Sequence, residues 1–299
     1  MQVSTTAFFN DTAKRLGAMN ARAQTLQTEI ATGKKIQTPS DAPGVSQQLA
    51  EIARKDADSA VFADNLKIAG SLLSQSDGVI KQINTQLTRA KELATSAATG
   101  TQSPADRKIL GVELQSVLDS IVGLANVSNI RGEPLFGTVG GQKAVTADGN
   151  GGYTYAATDV TEVPIAQGQT VRATESAASL FKLPDGTDVL ATLGALATAL
   201  QANGTGAQDT ASDSLDTIQS GLDQLSDVQA SVGARGARVE LQQGLIQTAD
   251  TDRAALRSQL EDTDITQAIV ELQQMMTALS ATQASFSKLA QLSLFDYIR

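Results

Sequence analysis

Apolar residues recur along this chain at alternating steps of three and four, first near its start and again near its end. Phe9, Leu16, Ala23 and Ile30 fall at seven-residue steps, with Met19 and Leu26 between them. Ile265, Leu272, Leu279 and Phe286 repeat that step, with Ala268, Met275 and Leu289 three residues after three of them. This is the a/d spacing of helices packed side by side, and each run lasts about the three to four heptads such a seam requires. A seam needs a partner, so the two runs are expected to pair as antiparallel helices. Thr12, Ala23, Ala268 and Thr282 stand where Leu or Ile would hold a two-stranded coil. The pair is therefore expected to be marginal until a larger assembly buries its other faces.

The same period continues inward. Leu66, Ala69, Leu73, Ser76, Ile80, Ile83, Leu87, Ala90 and Ala94 predict one helix over 45–98, a rod on the order of 80 Å at 1.5 Å per residue. Ser103 and Pro104 open a further helix as cap and first residue, striped by Leu110, Leu114, Val117, Ile121 and Leu124. Leu215, Ile218, Leu222, Leu225, Val228, Val232, Val239 and Ile246 predict a second long helix over 209–260. Gly33 ends the first helix, and a Pro-containing linker to Gly44 follows it, with Ser40 or Asp41 placed to cap the next helix. Glu261 to Thr263 break the returning helix, and Asp264 with Gln267 has the form of a capping box.

Between the rods the composition turns to Gly, Thr and Val. Short strands are expected at 143–147, 153–157, 160–165 and 169–173, with turns at 148–152 and 166–168, then a short helix at 188–201. The fold class is mainly α: a long antiparallel helical rod with terminal coiled-coil helices and a small β-rich insert at the far end. Three parts are expected. Residues 1–40 and 264–299 form a terminal assembly segment, 41–135 and 205–263 the rod core, and 136–204 an outward-facing insert.

Composition narrows the chemistry. Of the 299 residues 41% are hydrophobic and only 3% aromatic, so Ala, Leu and Ile must fill the interior, which suits long helices. A net charge of -9 argues against a general nucleic-acid or anionic-membrane surface. His, Cys and Trp are absent, which removes Cys/His metal sites, thiol nucleophiles and Ser-His couples. No enzymatic activity, cofactor or metal is expected. No apolar run is long enough to span a bilayer, and the start of the chain lacks a basic-then-apolar signal.

The remaining motifs have plain readings. Ser285 and Lys288 match Ser-x-x-Lys, but its companion elements are missing. Gly33-Lys34 lacks the first glycine of a phosphate loop, and Gly149-Asn150-Gly151 lacks the third glycine of a dinucleotide fingerprint. Asp148, Asn150 and Asp159 do not have the spacing of a calcium loop and read as a solvated turn. Tyr153 and Tyr155 lie on one face of a strand. With Asp148 and Asn150 they make a possible sugar-binding surface, set against the plainer reading that they cover a small sheet.

Two stretches carry a family resemblance. Ile30-Ala31-Thr32-Gly33-Lys34-Lys35-Ile36-Gln37-Thr38-Pro39-Ser40-Asp41-Ala42-Pro43-Gly44 and Ser285-Phe286-Ser287-Lys288-Leu289-Ala290-Gln291-Leu292-Ser293-Leu294-Phe295-Asp296-Tyr297-Ile298-Arg299 resemble the bacterial flagellin superfamily. They are more similar to its hook-filament junction members than to bulk filament flagellin. Val232-Gly233-Ala234-Arg235 resembles a recurrent element of the same family. The likeness covers roughly the first 135 and last 90 residues. It implies a structural part of the flagellum, an adaptor joining hook and filament, whose terminal helices pack in an axial polymer. Assembly residues would then be Phe9, Leu16, Met19, Leu26, Ile30, Ile265, Leu272, Met275, Leu279, Phe286 and Leu289. Implied partners are other axial proteins, further copies of itself, an export chaperone and the flagellar secretion apparatus. The implied location is extracellular, reached without a cleaved signal. The alternative is a minor flagellin, or a flagellin-like surface protein binding an extracellular polysaccharide.

Overall fold

The computed structural model describes residues 2–99, 102–129, 132–137, 143–157, 162–202 and 206–297, without the side chains of 2–6, 8, 9 and 289–297. The elements are α1 (Gln2–Thr32), α2 (Pro43–Ala98), α3 (Pro104–Ala125), β1 (Val145–Ala147), β2 (Tyr153–Tyr155), β3 (Glu162–Ala166), β4 (Gln169–Arg172), α4 (Ala177–Phe181), α5 (Val189–Ala202), α6 (Ala207–Glu261) and α7 (Ile265–Tyr297). They gather into two compact units. One comprises Met1–Ala57 with Ala249–Arg299, the other Asp58–Thr248. The mainly helical class read from the sequence is what the structure shows, with two small antiparallel hairpins, β1-β2 and β3-β4. Among the described residues no helix is long and apolar enough to cross a membrane.

The larger unit is built on the period the sequence displays. Along α2, Leu66, Ala69, Leu73, Ser76, Ile80, Ile83, Leu87, Ala90, Ala94 and Ala97 are all buried, in steps of three and four. Ala211, Ile218, Leu225, Val232 and Val239 of α6 enter the same core, while Leu215 and Leu222 flank it half-buried. Smaller residues take the tightest positions. A Cβ on Gly221 of α6 would stand 2.9 Å from Val189 Cγ2 of α5 and 3.4 Å from Leu87 Cδ2 of α2. Only a residue without a side chain lets three helices meet there.

Local chemistry sets the shorter elements. Ser103 caps α3, accepting from the Asp106 N–H while the Asp106 carboxylate accepts from the Ser103 N–H, with Pro104 at the first helical position. At the other end Asn126 donates to the Val145 carbonyl at 2.9 Å and accepts from its N–H at 3.0 Å, which ties β1 to the end of α3. Asp188 opens α5, accepting from the N–H groups of Leu190 and Ala191. The hairpins close no core of their own. Val145, Ile165, Val171, Leu180 and Phe181 belong to the same buried cluster as Leu66 and Leu225. Arg235 of α6 reinforces this by donating to the Arg172 carbonyl at 2.9 Å and pairing with Glu175.

Packing at α3 and α5 yields a contrast that can be measured. A Cβ at Gly111 would lie 2.9 Å from Leu200 Cβ and 3.0 Å from the Ala197 carbonyl, whereas one at Gly123 would meet nothing within 4 Å. Gly111→Ala is expected to cost about 1–3 kcal/mol through overpacking. Gly123→Ala is expected to stabilise by about 0.5–1 kcal/mol through helix propensity. Denaturant unfolding of the two variants checks both signs.

Candidate assembly interface

The smaller unit pairs α1 with α7. Ala23 and Leu26 of α1 are buried, and Thr12, Leu16, Met19 and Ile30 are half-buried. On α7, Ala268 and Leu279 are buried, and Leu272, Met275, Thr282 and Phe286 are half-buried. These are positions of the two heptad runs. Ile265 is placed differently, with 48% of its surface exposed at the start of α7. The side chains of Phe9 and Leu289 lie outside the described residues.

Because the seam is thin, polar groups hold its register. Arg22 donates to Glu271 Oε1 of α7 through Nε at 3.2 Å and Nη2 at 3.1 Å, and through Nη1 to Glu29 at 3.1 Å. Burial opposes the Arg22 charge, but the bonds to Glu271 and then Glu29 raise its pKa on balance. Beyond the helices the two connecting segments are clasped. Lys35 N–H donates to the Glu261 carbonyl at 2.8 Å, and Thr263 N–H donates to the Gly33 carbonyl at 2.9 Å. This makes an antiparallel bridge between Lys34 and Asp262. Gly33 turns the chain there at φ 72°. Lys34 pairs with Glu261, and Lys35 Nζ donates to the Gln259 carbonyl at 2.7 Å.

The linker itself is shaped by Asp41, which accepts from the N–H of Thr38 at 2.7 Å and of Gln37 at 3.1 Å. Thr38's backbone bond is the main reason its pKa is lowered. Further along, Asp56 accepts from Arg253 Nε at 2.7 Å and pairs with Arg257. The bond from Arg253 leads the causes that lower the Asp56 pKa. Pairing leaves apolar side chains of α7 exposed: Ile265, Ile269 and Met276 along one side at 41% to 51%, and Val270 on another side at 49%. Apolar groups concentrated on one exposed helix are a mark of an interaction surface. Arg22, Glu271, Asp56, Arg253 and Arg257 carry no sequence signal as a set, because the partners are far apart in the chain.

Near the hairpins, Tyr155 is half-buried and its hydroxyl donates to Asp188, 2.9 Å from each carboxylate oxygen. Its ring stacks on Phe181 at 6.4 Å, and burial first, then Asp188, pushes the phenol pKa up. Tyr153 is also half-buried, its pKa raised chiefly by burial. Asp148 Oδ1 accepts from the N–H groups of Asn150 at 2.8 Å and Gly152 at 2.9 Å, which closes the turn. Asp159 lies outside the described residues.

In the smaller unit, then, α1 and α7 pair antiparallel although they lie far apart in the sequence. Residues 3–140 match the bacterial flagellin N-terminal helical region. Across its length the chain is 24% identical to flagellar hook-associated protein 3 of Salmonella typhimurium, with 100% of both chains covered. It is likewise 24% identical to flagellar hook-associated protein 3 of Escherichia coli, over 94% of this chain and 95% of the relative. Solved structures share the fold. One from Vibrio parahaemolyticus, described as a flagellar hook-associated protein, has a TM-score of 0.69 at 22% identity, covering 74% of this chain and 100% of that one. Flagellar hook associated protein-3 of Legionella pneumophila has a TM-score of 0.64 at 14% identity, covering 71% and 98%.

The apolar seam should outweigh the ion pairs. Leu26→Ala is expected to destabilise the smaller unit by about 2–5 kcal/mol. Arg22→Met, at a side chain 44% exposed, should cost only about 0–1 kcal/mol. Amide exchange along α1 and α7 separates the two. Acid should act through Asp56. Because its folded pKa is lowered, its contribution is complete above the ordinary carboxylate pKa of about 4 and is lost as pH falls through the lowered value. Exchange protection of 250–260 is expected to drop on acidification in the parent chain and to show a smaller acid response in Asp56→Asn.

Proposed function

We propose that this chain is the adaptor that joins hook and filament in a bacterial flagellum, and that it takes its place by packing α1 and α7 against neighbouring axial subunits. The observation that carries this reading is its similarity to flagellar hook-associated protein 3 along the whole of both sequences. The exposed apolar side chains of α7 support the packing role, since an a/d seam satisfied on one side leaves Ile265, Ile269 and Met276 along another for a second partner. The function is structural, without catalysis. Assembly would use Phe9, Leu16, Met19, Leu26, Ile30, Ile265, Leu272, Met275, Leu279, Phe286 and Leu289. Partners are the hook-associated proteins, flagellin and further copies of the chain. Export would run through the flagellar secretion apparatus with a chaperone, to the cell exterior.

Leu279 gives the sharpest test, because it is buried in the seam at 5% exposure. A carboxylate there must be desolvated or must break the pair, and either costs several kcal/mol. A strain carrying Leu279→Asp is expected to export a soluble protein whose 58–248 unit is folded, yet to bear hooks without filaments and to lose filament subunits to the medium. Electron microscopy and immunoblotting of the medium read the outcome. Normal swimming by that strain would overturn the proposal.

A further inference from the structure

The turn that joins β1 to β2 carries a reactive pair that the structural role does not use. Asn150 is exposed and is followed by Gly151, also exposed and held at φ 88°. Asp148 takes up the neighbouring amides, Asn150 N–H at 2.8 Å and Gly152 N–H at 2.9 Å, and Asp148 N–H donates to the Gly152 carbonyl at 3.0 Å. The Gly151 N–H between them has no hydrogen bond among the described residues, and neither has the Asn150 carboxamide. Gly151 also has no side chain to shield its nitrogen from the Asn150 Cγ.

Two other described asparagines, Asn65 and Asn126, are guarded. Asn65 donates to the Pro164 carbonyl and is followed by Leu66. Asn126 is bonded to Val122 and Val145 and is followed by Val127. Branched residues crowd the amide nitrogen that would have to attack.

We infer that Asn150-Gly151 is a self-modification site of the folded protein, at which Asn150 deamidates through a cyclic imide and water is the only reagent. The Gly151 nitrogen gives up its proton to hydroxide and attacks Asn150 Cγ, forming an N–C bond. The bond from Cγ to the side-chain nitrogen breaks, and that nitrogen takes a proton from water and leaves as ammonia, which returns the hydroxide. Water then opens the ring at one of its two carbonyls. Opening at Cγ leaves an aspartate, and opening at the backbone carbonyl leaves an isoaspartate whose chain runs through the side chain. No electron transfer occurs.

The consequence is local but permanent. The turn forms one wall of an open cleft of about 640 Å³, lined also by Gln115, Gly194 and Thr198 of α3 and α5. Gly151's carbonyl reaches to within 3.9 Å of where a Cβ on Gly194 would stand. Deamidation puts a new carboxylate beside Asp148, and the isoaspartate form lengthens the backbone against α5. The modification would therefore alter the surface of this cleft while leaving the helices paired.

The test is peptide mapping of the full chain after incubation in warm, mildly alkaline buffer, folded and in urea. Expected in the folded chain is exchange of NH2 for OH in the peptide containing Asn150, part of it a substrate for an isoaspartyl methyltransferase. Its rate should rise in proportion to hydroxide and stay within a few-fold of the rate in urea. Asn150→Gln, a change at an exposed side chain, should remove the signal from this peptide while helicity is unchanged. Three outcomes would overturn the inference: a folded-state rate more than an order of magnitude below that in urea, a product without isoaspartate, or a mass gain confined to Asn203-Gly204 or other sites.

Discussion

Closure of one row of side chains on another, contributed by distant parts of the chain, is the constraint the larger unit depends on. The buried row of α2 from Leu66 to Ala97 is complete only when Ala211, Ile218, Leu225, Val232 and Val239 of α6 lie against it. All that the chain does between these helices is a loop closed by that contact, and the entropic cost of a long loop grows only logarithmically with its length. A large insertion is thus tolerable if it adds burial. Here it does, since α3, α5 and both hairpins send Leu118, Leu193, Val145 and Ile165 into the same core.

The smaller unit divides its work differently. Its seam has few bulky groups, and Ala23 and Ala268 occupy positions where larger side chains would bury more surface. Such a seam attracts weakly and specifies register poorly. Register comes instead from the hydrogen-bonded clasp between Gly33 to Lys35 and Glu261 to Thr263, and from Arg22 reaching Glu271. A backbone bridge cannot slide by one residue without losing both of its bonds, whereas an alanine seam can.

The faces that α1 and α7 bury on each other were legible in residue spacing. The runs at Leu16, Met19, Ala23, Leu26 and at Ala268, Leu272, Met275, Leu279 mark the positions that turn inward, because a helix repeats every 3.6 residues whatever its tertiary setting. Gly33, Asp264 and the Ser103-Pro104 pair mark helix ends through backbone chemistry that is equally local. The exposed placement of Ile265 was not legible. It has the right period, but it stands at the first turn of α7 beside the clasp, where the facing chain has already left the helix.

What the sequence by itself determined was therefore the helical class, the boundaries of the long helices and the faces they bury, since all of these follow from short-range periodicity and capping. Tertiary structure alone decided which long-range partners meet. It set Asp56 between Arg253 and Arg257, gave the Tyr155 hydroxyl to Asp188, and placed Gly221 rather than Leu222 at the closest approach of three helices. It also merged the hairpins into the helical core, although their composition reads as a separate insert. The physical reason is the same in each case. A charge, a hydroxyl or a missing side chain has no period, so its meaning depends on what the fold brings within a few ångströms of it.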